Sequence, residues 1–549
     1  MLRQFEWNVR PADPARASAL ARRCGIDPLS AQLLLNRGIN EPSEAQRFLS
    51  PSLQVLEDPL VLPEMAKAVS RIRQAIATRE MILVFGDADV DGITASAILY
   101  ESLTLHGAKV VVRLSNRLED GYGFPRSLIK RLVRAGFTLL ILVDCGTNQP
   151  DEIDALAREG IDTVVLDHHV PMDRQARPLA LVNPARGNQS GRELSSAGLA
   201  WKLAQAMCPR DVTELIRFLD LATLGTLADC SPLVRENRIL VSMGLERVRT
   251  TQRLGLARVC EAVRLTEASP EQILRRLVPR LNAAGRLGNP RPVWKLLVES
   301  REPVVNRLAQ HLEHAHTETK ALHRRILLEA HEQANRFHFK HELVMVVGRR
   351  DWHPGLMGPV ASQLVERYAR PAIAIALDRR IGVGSGRSIA AFNLLEALRV
   401  CEGLLVRYGG HPQACGLTIS AGNVERFRES INQHVQDSGG RHRFIRTLEV
   451  DLEVRLRDLT TRFASTVERF APFGRGNPRP ALLIRKLAVE ACAPGRTWVT
   501  DGTTRVRVRD RRGALVPSER YDLVASPALD GGELVLLICD VRLSALPAP

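Results

Sequence analysis

The chain has 549 residues, of which 45% are hydrophobic and 25% charged, a balance that excludes a disordered or fibrous protein and calls for roughly three to four domains. A formal net charge of +15 and a sequence pI near 9.9 speak for a polyanionic partner, nucleic acid before an anionic membrane surface. No apolar run approaches the ~18 residues of a membrane helix, the N-terminal stretch is too polar for a signal peptide, and nine scattered cysteines without a C-x-x-C pair argue against a disulfide framework or a thiolate zinc site, which predicts a soluble cytoplasmic protein.

Residues 1–80 read as a helical accessory region packed on the adjoining domain, with a capping box at Ser43 and Gln46 and a helical repeat through Met65, Ala68, Val69, Ile72, Ala75 and Ile76. From 81 to 250 the pattern changes to apolar runs, MILVFG, VVVRLS, TLLILVD and TVVLDHH, separated by amphipathic segments. Runs without polar alternation suit strands buried on both faces, so this is a parallel-sheet α/β domain whose ligands gather at the carboxyl ends of the strands. Residues 251–339 form a helical connector in which Pro303 to about Phe337 is one long helix able to link two lobes. A second, smaller α/β unit occupies 340–440, and the alternating short runs of 441–549 suggest a small β-barrel.

Three of the four apolar runs end in acidic or imidazole groups: Asp87, Asp89 and Asp91, then Asp144, then Asp167, His168 and His169. Asp87 to Asp91 alone could be a solvated acidic turn. Together with Asp229, these strand and helix ends give Asp87, Asp89, Asp91, Asp144, His168 and Asp229, a set of oxygen donors with one nitrogen. Such a set suits Mn²⁺ or Mg²⁺, and its size suits two divalent ions rather than one, the arrangement that clamps a phosphodiester for in-line attack. Adjacent side chains at a strand end point to opposite faces, so one imidazole of the pair can bind metal while the other faces substrate. In the C-terminal part, Arg505, Arg507 and Arg509 alternate along one strand and form a stripe that could track a phosphate backbone, and residues 441–549 carry 19 basic and 13 acidic side chains.

GDADVDG, LVDCGT, LDHH and LADCSPL, in this order and spacing, resemble the four motifs of the DHH phosphoesterases. The likeness continues through PRLNAAGR (279–286), WHPGLMGPVASQLVERYARPAIAIA (352–376), SGRSI (385–389), RYGGHPQACG (407–416) and FAPFGRGNPRP (470–480), and over nearly the whole chain the sequence is similar to the RecJ single-strand-specific exonucleases. That resemblance implies a DHH domain, a DHHA1 domain and an oligonucleotide-binding (OB) barrel. It implies Asp89, Asp91, Asp144, His168 and Asp229 as metal ligands with Asp144 bridging, Asp87 and Asp167 nearby, and His169 facing the scissile phosphate. Gly409, Gly410 and His411 would approach a phosphate, Ser385 and Arg387 would hold the 5′-terminal phosphate, and Arg280, Asn282 and Arg286 would line the channel between the lobes. Ala88, Thr147 and Asn148 depart from the usual motif residues without removing a ligand.

The resemblance implies an exonuclease that hydrolyses single-stranded DNA from its 5′ end to mononucleotides, in repair and recombination, beside a helicase and a single-strand-binding protein. Two alternatives stand next to it: a DHH phosphodiesterase acting on short RNA or cyclic dinucleotides, and a DNA-binding scaffold without catalysis. Chain length argues against the first, and the complete ligand set argues against the second.

Overall fold

The computed structural model describes residues 5–544 apart from 173, 188–190, 209–211, 340–341, 438–443, 445, 492–496, 511–512 and 518. The two ends of the chain build one unit. Strand β1 (Glu6–Val9) pairs in parallel with Thr447–Val450. Helices α1 (Pro14–Cys24), α2 (Pro28–Leu35) and α3 (Pro42–Leu49) bury Leu20, Leu33, Leu34 and Leu49 in one cluster with Leu456, Phe463, Phe470 and Leu523 of the C-terminal barrel. Proline opens each of these helices, and Asp13 and Asp27 cap the first two by accepting the N–H groups of Arg16 and Ser30. The expected capping box at Ser43 and Gln46 does not form: Pro42 starts the helix one residue earlier and Glu41 precedes it without a side-chain cap. The accessory region expected over 1–80 therefore divides. Within it, α4 (Met65–Ala77) packs on the next domain through Met65, Ala68, Val69, Ile72 and Ala75.

That domain runs β2 (Met81–Gly86), α5 (Val90–Leu105), β3 (Lys109–Leu114), α6 (Ile129–Arg134), β4 (Phe137–Val143), α7 (Pro150–Arg158), β5 (Asp162–Leu166) and β6 (Ala180–Val182). The five strands are parallel in the order β3-β2-β4-β5-β6, and only the three-residue β6 is too short to read from the sequence. Successive residues of β2 face two different cores, Ile82 and Val84 one and Leu83 and Phe85 the other, which is why the run is apolar throughout. Helices α8 (Ser196–Met207), α9 (Val212–Ile216), α10 (Leu219–Ala228) and α11 (Arg235–Arg249) complete it. The strand order reverses between β2 and β4, and this opens a crevice at their carboxyl ends.

The connector consists of α12 (Leu254–Ala262), α13 (Pro270–Gln272), a π-type turn at Ile273–Leu277, α14 (Val278–Arg286), α15 (Arg291–Val298) and α16 (Glu302–Ala334). Helix α16 has 33 residues, about 50 Å at 1.5 Å each. Its first half buries Val305 and Leu312 in the parallel-sheet core, and its second half buries Ile326, Ala330 and Ala334 in the core of the next unit.

That unit comprises β7 (Met345–Arg350), α17 (Met357–Tyr368), β8 (Ala372–Leu377), β9 (Ile381–Arg387), α18 (Leu394–Val400), β10 (Leu405–His411), β11 (Ala414–Ser420) and α19 (Val424–Asp437), with sheet order β10-β11-β9-β8-β7 and only β7 and β8 parallel. The barrel follows with β12 (Thr447–Val450), β13 (Leu452–Glu453), α20 (Thr461–Glu468), β14 (Leu482–Ala491), β15 (Thr497–Thr500), β16 (Arg505–Arg509), β17 (Arg520–Asp530) and β18 (Glu533–Leu543), closed by pairing of β14 with β17. No helix among the described residues is long and apolar enough to cross a membrane.

The shared core of the two chain ends has a measurable consequence. Leu34→Ala should cost about 2–5 kcal/mol in urea unfolding, because Leu34 is fully buried in the barrel's cluster. Leu60→Ala, at a side chain 51% exposed, should stay within about 0.5 kcal/mol of the parent.

Candidate metal centre and substrate cleft

Asp87 and Asp89 follow β2, Asp144 follows β4, and Asp167 to His169 follow β5, so these groups meet at the crevice. Asp89 is the N-cap of α5 and accepts the N–H groups of Asp91 (3.1 Å) and Gly92 (3.2 Å), where the helix's free amides and positive end favour a carboxylate. Residue 92 must be glycine, since a β-carbon there would lie 2.6 Å from the Asp87 carbonyl oxygen. Asp91 turns inward and accepts the N–H groups of Ser196 (2.8 Å) and Ala197 (2.9 Å) at the start of α8. Asp144 accepts the Ser196 hydroxyl at 2.9 Å. His168 Nε2 lies 3.3 Å from Asp144, 3.9 Å from Asp91 and 3.9 Å from Asp229, the residue that ends α10.

Donor atoms converge in three sets, each within 4.8 Å: Asp91, His168 and Asp229; Asp87, Asp89 and Asp144; and Asp144, His168 and His169. Asp144 belongs to two of them. Burial and then the Asp229 charge push the Asp91 carboxyl up to about 7, and burial together with Asp89 and Asp91 raises Asp144 well above the usual carboxylate range. At His168 burial works against the imidazolium, but the hydrogen bond to Asp144 and the charges of Asp229, Asp144 and Asp91 outweigh it and raise its pKa. Carboxylates that keep protons because they crowd one another give them up to a divalent cation. The donor set, oxygen-rich with one imidazole and no thiolate, fits Mn²⁺ or Mg²⁺.

Asp87 is engaged differently from the others. It is 1% exposed, accepts the Ser115 hydroxyl at 2.6 Å, and both its oxygens face the Arg117 guanidinium, which also reaches Asp89 at 2.8 Å. Asp167, equally buried, accepts the Thr147 N–H (3.0 Å) and the Nδ1 of His169 (2.7 Å). Burial opposes its ionisation, yet the His169 charge and these bonds hold it far below the ordinary range. Burial likewise opposes the His169 imidazolium, but Asp167 outweighs it and carries the ring up to about 9. Tyr122 Oη lies 3.1 Å from His169 Nε2, and the His169 ring stacks on His411 of the second lobe, with centroids 6.1 Å apart and planes 13° apart.

Ser385, Arg387, Gly409, Gly410 and His411 form the facing wall of a cleft of about 1260 Å³, which Asn282 and Arg286 also line. Asn282 accepts the Val90 N–H at 3.2 Å, so α14 is tied to the start of α5. Arg387 donates to Ser385 Oγ at 2.9 Å beside Gly358 of α17. Burial lowers the pKa of both Arg387 and Arg286, and the nearby Arg117 charge lowers both further. Cations that repel one another across a cleft invite an anion between them.

Two expectations change. Arg280 is not at the cleft: positions 282 and 286 share a helix face at i, i+4 spacing, whereas 280 points away and bonds Glu313 of α16 at 2.6 Å. Arg505, Arg507 and Arg509 do share a face of β16, but none is a free cation. Arg505 pairs with Glu490 at 2.9 Å, Arg509 with Asp530 at 2.8 Å, and Arg507 also with Asp530. The sequence reading missed Arg117, Tyr122 and Ser196, which lie outside the acidic and imidazole pattern. For Arg117 the one available signal was a lone arginine just past an apolar strand.

Among known proteins, residues 81–226 match the DHH family N-terminal domain, 341–437 the DHHA1 domain and 450–511 the RecJ OB domain. Single-stranded-DNA-specific exonuclease RecJ of Bacillus subtilis is 34% identical over 496 residues, 89% of this chain and 62% of the relative. The chain thus spans under two thirds of that protein's length. The Thermus thermophilus RecJ is 30% identical, covering 88% of this chain and 69% of its own length, and that of Dickeya dadantii is 32% identical, covering 83% of each. A crystal structure of Thermus thermophilus RecJ in complex with Mn²⁺ superposes with a TM-score of 0.84 at 26% identity, over 98% of this chain and 80% of that one. A structure of it with Mg²⁺ gives 0.78 at 26% identity, over 98% and 79%. By domain content, sequence and fold, the chain belongs to the RecJ family of single-stranded-DNA-specific exonucleases.

Proposed function

We propose that this chain is a metal-dependent exonuclease that removes mononucleotides from the 5′ end of single-stranded DNA in the cytoplasm, serving repair and recombination beside a helicase and a single-strand-binding protein. The observation that carries the reading is the convergence of Asp89, Asp91, Asp144, His168 and Asp229 at a cleft whose near wall carries Asp89, Asp91 and His169 and whose other wall presents the half-buried Arg387. Relatives named as single-stranded-DNA-specific exonucleases support the substrate, and a relative's structures with Mn²⁺ and Mg²⁺ support the ions.

Asp89, Asp91, Asp144, His168 and Asp229 would hold two divalent ions, Asp144 being a member of two of the three donor sets. When bound, such ions lower the pKa of a water and neutralise the charge of the phosphodiester. The chain's own residues do the rest. Asp87 fixes Arg117 beside Asp89. Asp167 accepts the Nδ1–H of His169 and holds the ring as imidazolium, with its pKa carried up to about 9, so that Nε2–H too can donate, to a phosphate oxygen, while Tyr122 steadies that edge of the ring. Arg387, Ser385, Arg286 and Arg117 surround a terminal phosphate, so a strand is read from its end and not from its middle.

Asp144→Asn should lower cleavage of 5′-labelled single-stranded DNA by about 10³-fold or more while the variant still binds the strand. Retained cleavage would remove Asp144 from the centre. Chelation with EDTA should abolish hydrolysis and added Mn²⁺ or Mg²⁺ restore it, with 5′-labelled mononucleotide as the first product; a ladder of internal fragments instead would defeat the exonuclease reading. Arg387→Ala should erode the preference for a 5′-phosphate over a 5′-hydroxyl by about 10- to 100-fold, the loss of one charge-assisted contact, measured as the ratio of cleavage rates on the two ends.

A further inference from the structure

The stretch FAPFGRGNPRP (470–480) has no part in the chemistry above, yet its backbone and side chains are tied at several points. Gly474 and Asn477 exchange backbone hydrogen bonds of 2.9 and 3.1 Å. The buried Asn477 amide donates to the carbonyls of Phe470 (2.8 Å) and Pro472 (2.9 Å), and Arg37 Nε donates to its oxygen at 3.1 Å.

The tip of this barrel loop leans on the segment that follows Asp229. The Leu233 N–H donates to the Arg475 carbonyl at 2.7 Å, and the Arg475 guanidinium lies 3.5 Å from the Cys230 carbonyl. Gly476, at φ +77°, sits so close that a β-carbon there would lie 3.0 Å from Pro232 Cβ and 3.2 Å from Val234. Further along, Arg238, 2% exposed, reaches from α11 to the carbonyls of Arg469 (3.1 Å) and Ala471 (2.7 Å) at the root of the loop.

What the loop covers is the C-terminal turn of α10. Cys230, just past the Asp229 cap, has φ +57°, and the N–H groups of Cys230 and Ser231 turn back to the carbonyls of Leu227 and Thr226, so the helix end itself sets this left-handed conformation. The turn carries the next residue back: the Ser231 N–H donates to the Thr226 carbonyl at 3.2 Å and its hydroxyl bonds the Asp229 carboxylate. Helix α10 fixes one side of the turn, and the barrel loop closes the other.

We infer that residues 474–477 are positioning residues for Asp229. The loop clamps Pro232 to Val234, the segment that leaves the C-terminal turn of α10, and so holds the Asp229 carboxylate toward His168. The C-terminal barrel is then part of the architecture of the metal centre. This inference rests on the reading of Asp229 as a metal ligand.

The test is calorimetric titration of Mn²⁺ into the metal-free 549-residue chain without DNA, comparing wild type, Asp229→Asn, Gly476→Ala and Asn477→Ala, with melting temperatures alongside. Asp229→Asn should remove one binding phase. Gly476→Ala adds a methyl at an exposed position of positive φ against Pro232, and should weaken that same phase about tenfold while the other phase and the melting temperature stay near wild type. Asn477→Ala, which cuts the loop's internal ties, should act in the same direction, and if it does not fold the exposed Gly476→Ala decides alone. If Asp229→Asn leaves Mn²⁺ binding unchanged, the ligand reading of Asp229 fails and the inference with it. If Asp229→Asn removes a phase that Gly476→Ala leaves intact, or if Gly476→Ala weakens both phases alike, the metal centre stands and the brace is wrong.

Discussion

The constraint on which the rest of the structure depends is the mutual repulsion of carboxylates packed at one end of a parallel sheet. Asp89, Asp91, Asp144 and Asp229 share a volume that no protein would leave to them without compensation, because each ionised group raises the cost of the next. The fold answers with oriented donors. Asp89 sits on the amides that open α5, Asp91 takes two amides from the start of α8, Asp144 takes the Ser196 hydroxyl, and His168 stands between three of the carboxylates. These donors fix positions without cancelling the charge, as the raised pKa values of Asp91 and Asp144 record. A site so arranged is preorganised for cations, and the switch in strand order between β2 and β4 is what brings its two halves together.

Most of the donor set was legible in the sequence because the physics that creates it is local. A strand buried on both faces must be apolar, so its carboxyl end shows as an abrupt change to Asp or His, and such ends can be lined up without knowing the fold. Residues that act by approaching from elsewhere were not legible. Ser196 and Arg117 belong to no pattern of their own and gain meaning only once α8 and the segment after β3 are folded against Asp91 and Asp87. Arg280 shows the converse: it lies in the right motif, but the helix period turns it toward Glu313 and leaves the cleft to Asn282 and Arg286. The division of the N-terminal region was hidden for a related reason. Its helices carry an ordinary apolar face, and nothing in a face says that its partner lies in the C-terminal barrel, a separation matched by the pairing of Glu6 with Thr447.

The two lobes are held by a helix that belongs to both. Because α16 contributes Val305 and Leu312 to one core and Ile326, Ala330 and Ala334 to the other, the lobes cannot separate or twist without disturbing a packed interior. The stacked rings of His169 and His411 bridge the cleft between the lobes from opposite walls, and the tie from Asn282 to Val90 anchors the connector at the mouth of the metal site.

Positive charge is distributed according to use rather than evenly. The barrel's arginine stripe on β16 is spent on Glu490 and Asp530, exposed pairs that add little stability and must exchange partners before they can meet a phosphate. Arg387, in the cleft, is half-buried; among the described residues its guanidinium donates to Ser385 Oγ and the Gly386 carbonyl and pairs with no carboxylate, and Arg117 is nearby, so an arriving anion there meets a cation without displacing a carboxylate. Net charge alone, +15 over the chain, could not separate these two environments. The partners of each guanidinium do, and they place an anion site opposite the carboxylates, where a phosphodiester between the two walls would face Arg387 on one side and, on the other, carboxylates whose charge divalent cations would neutralise.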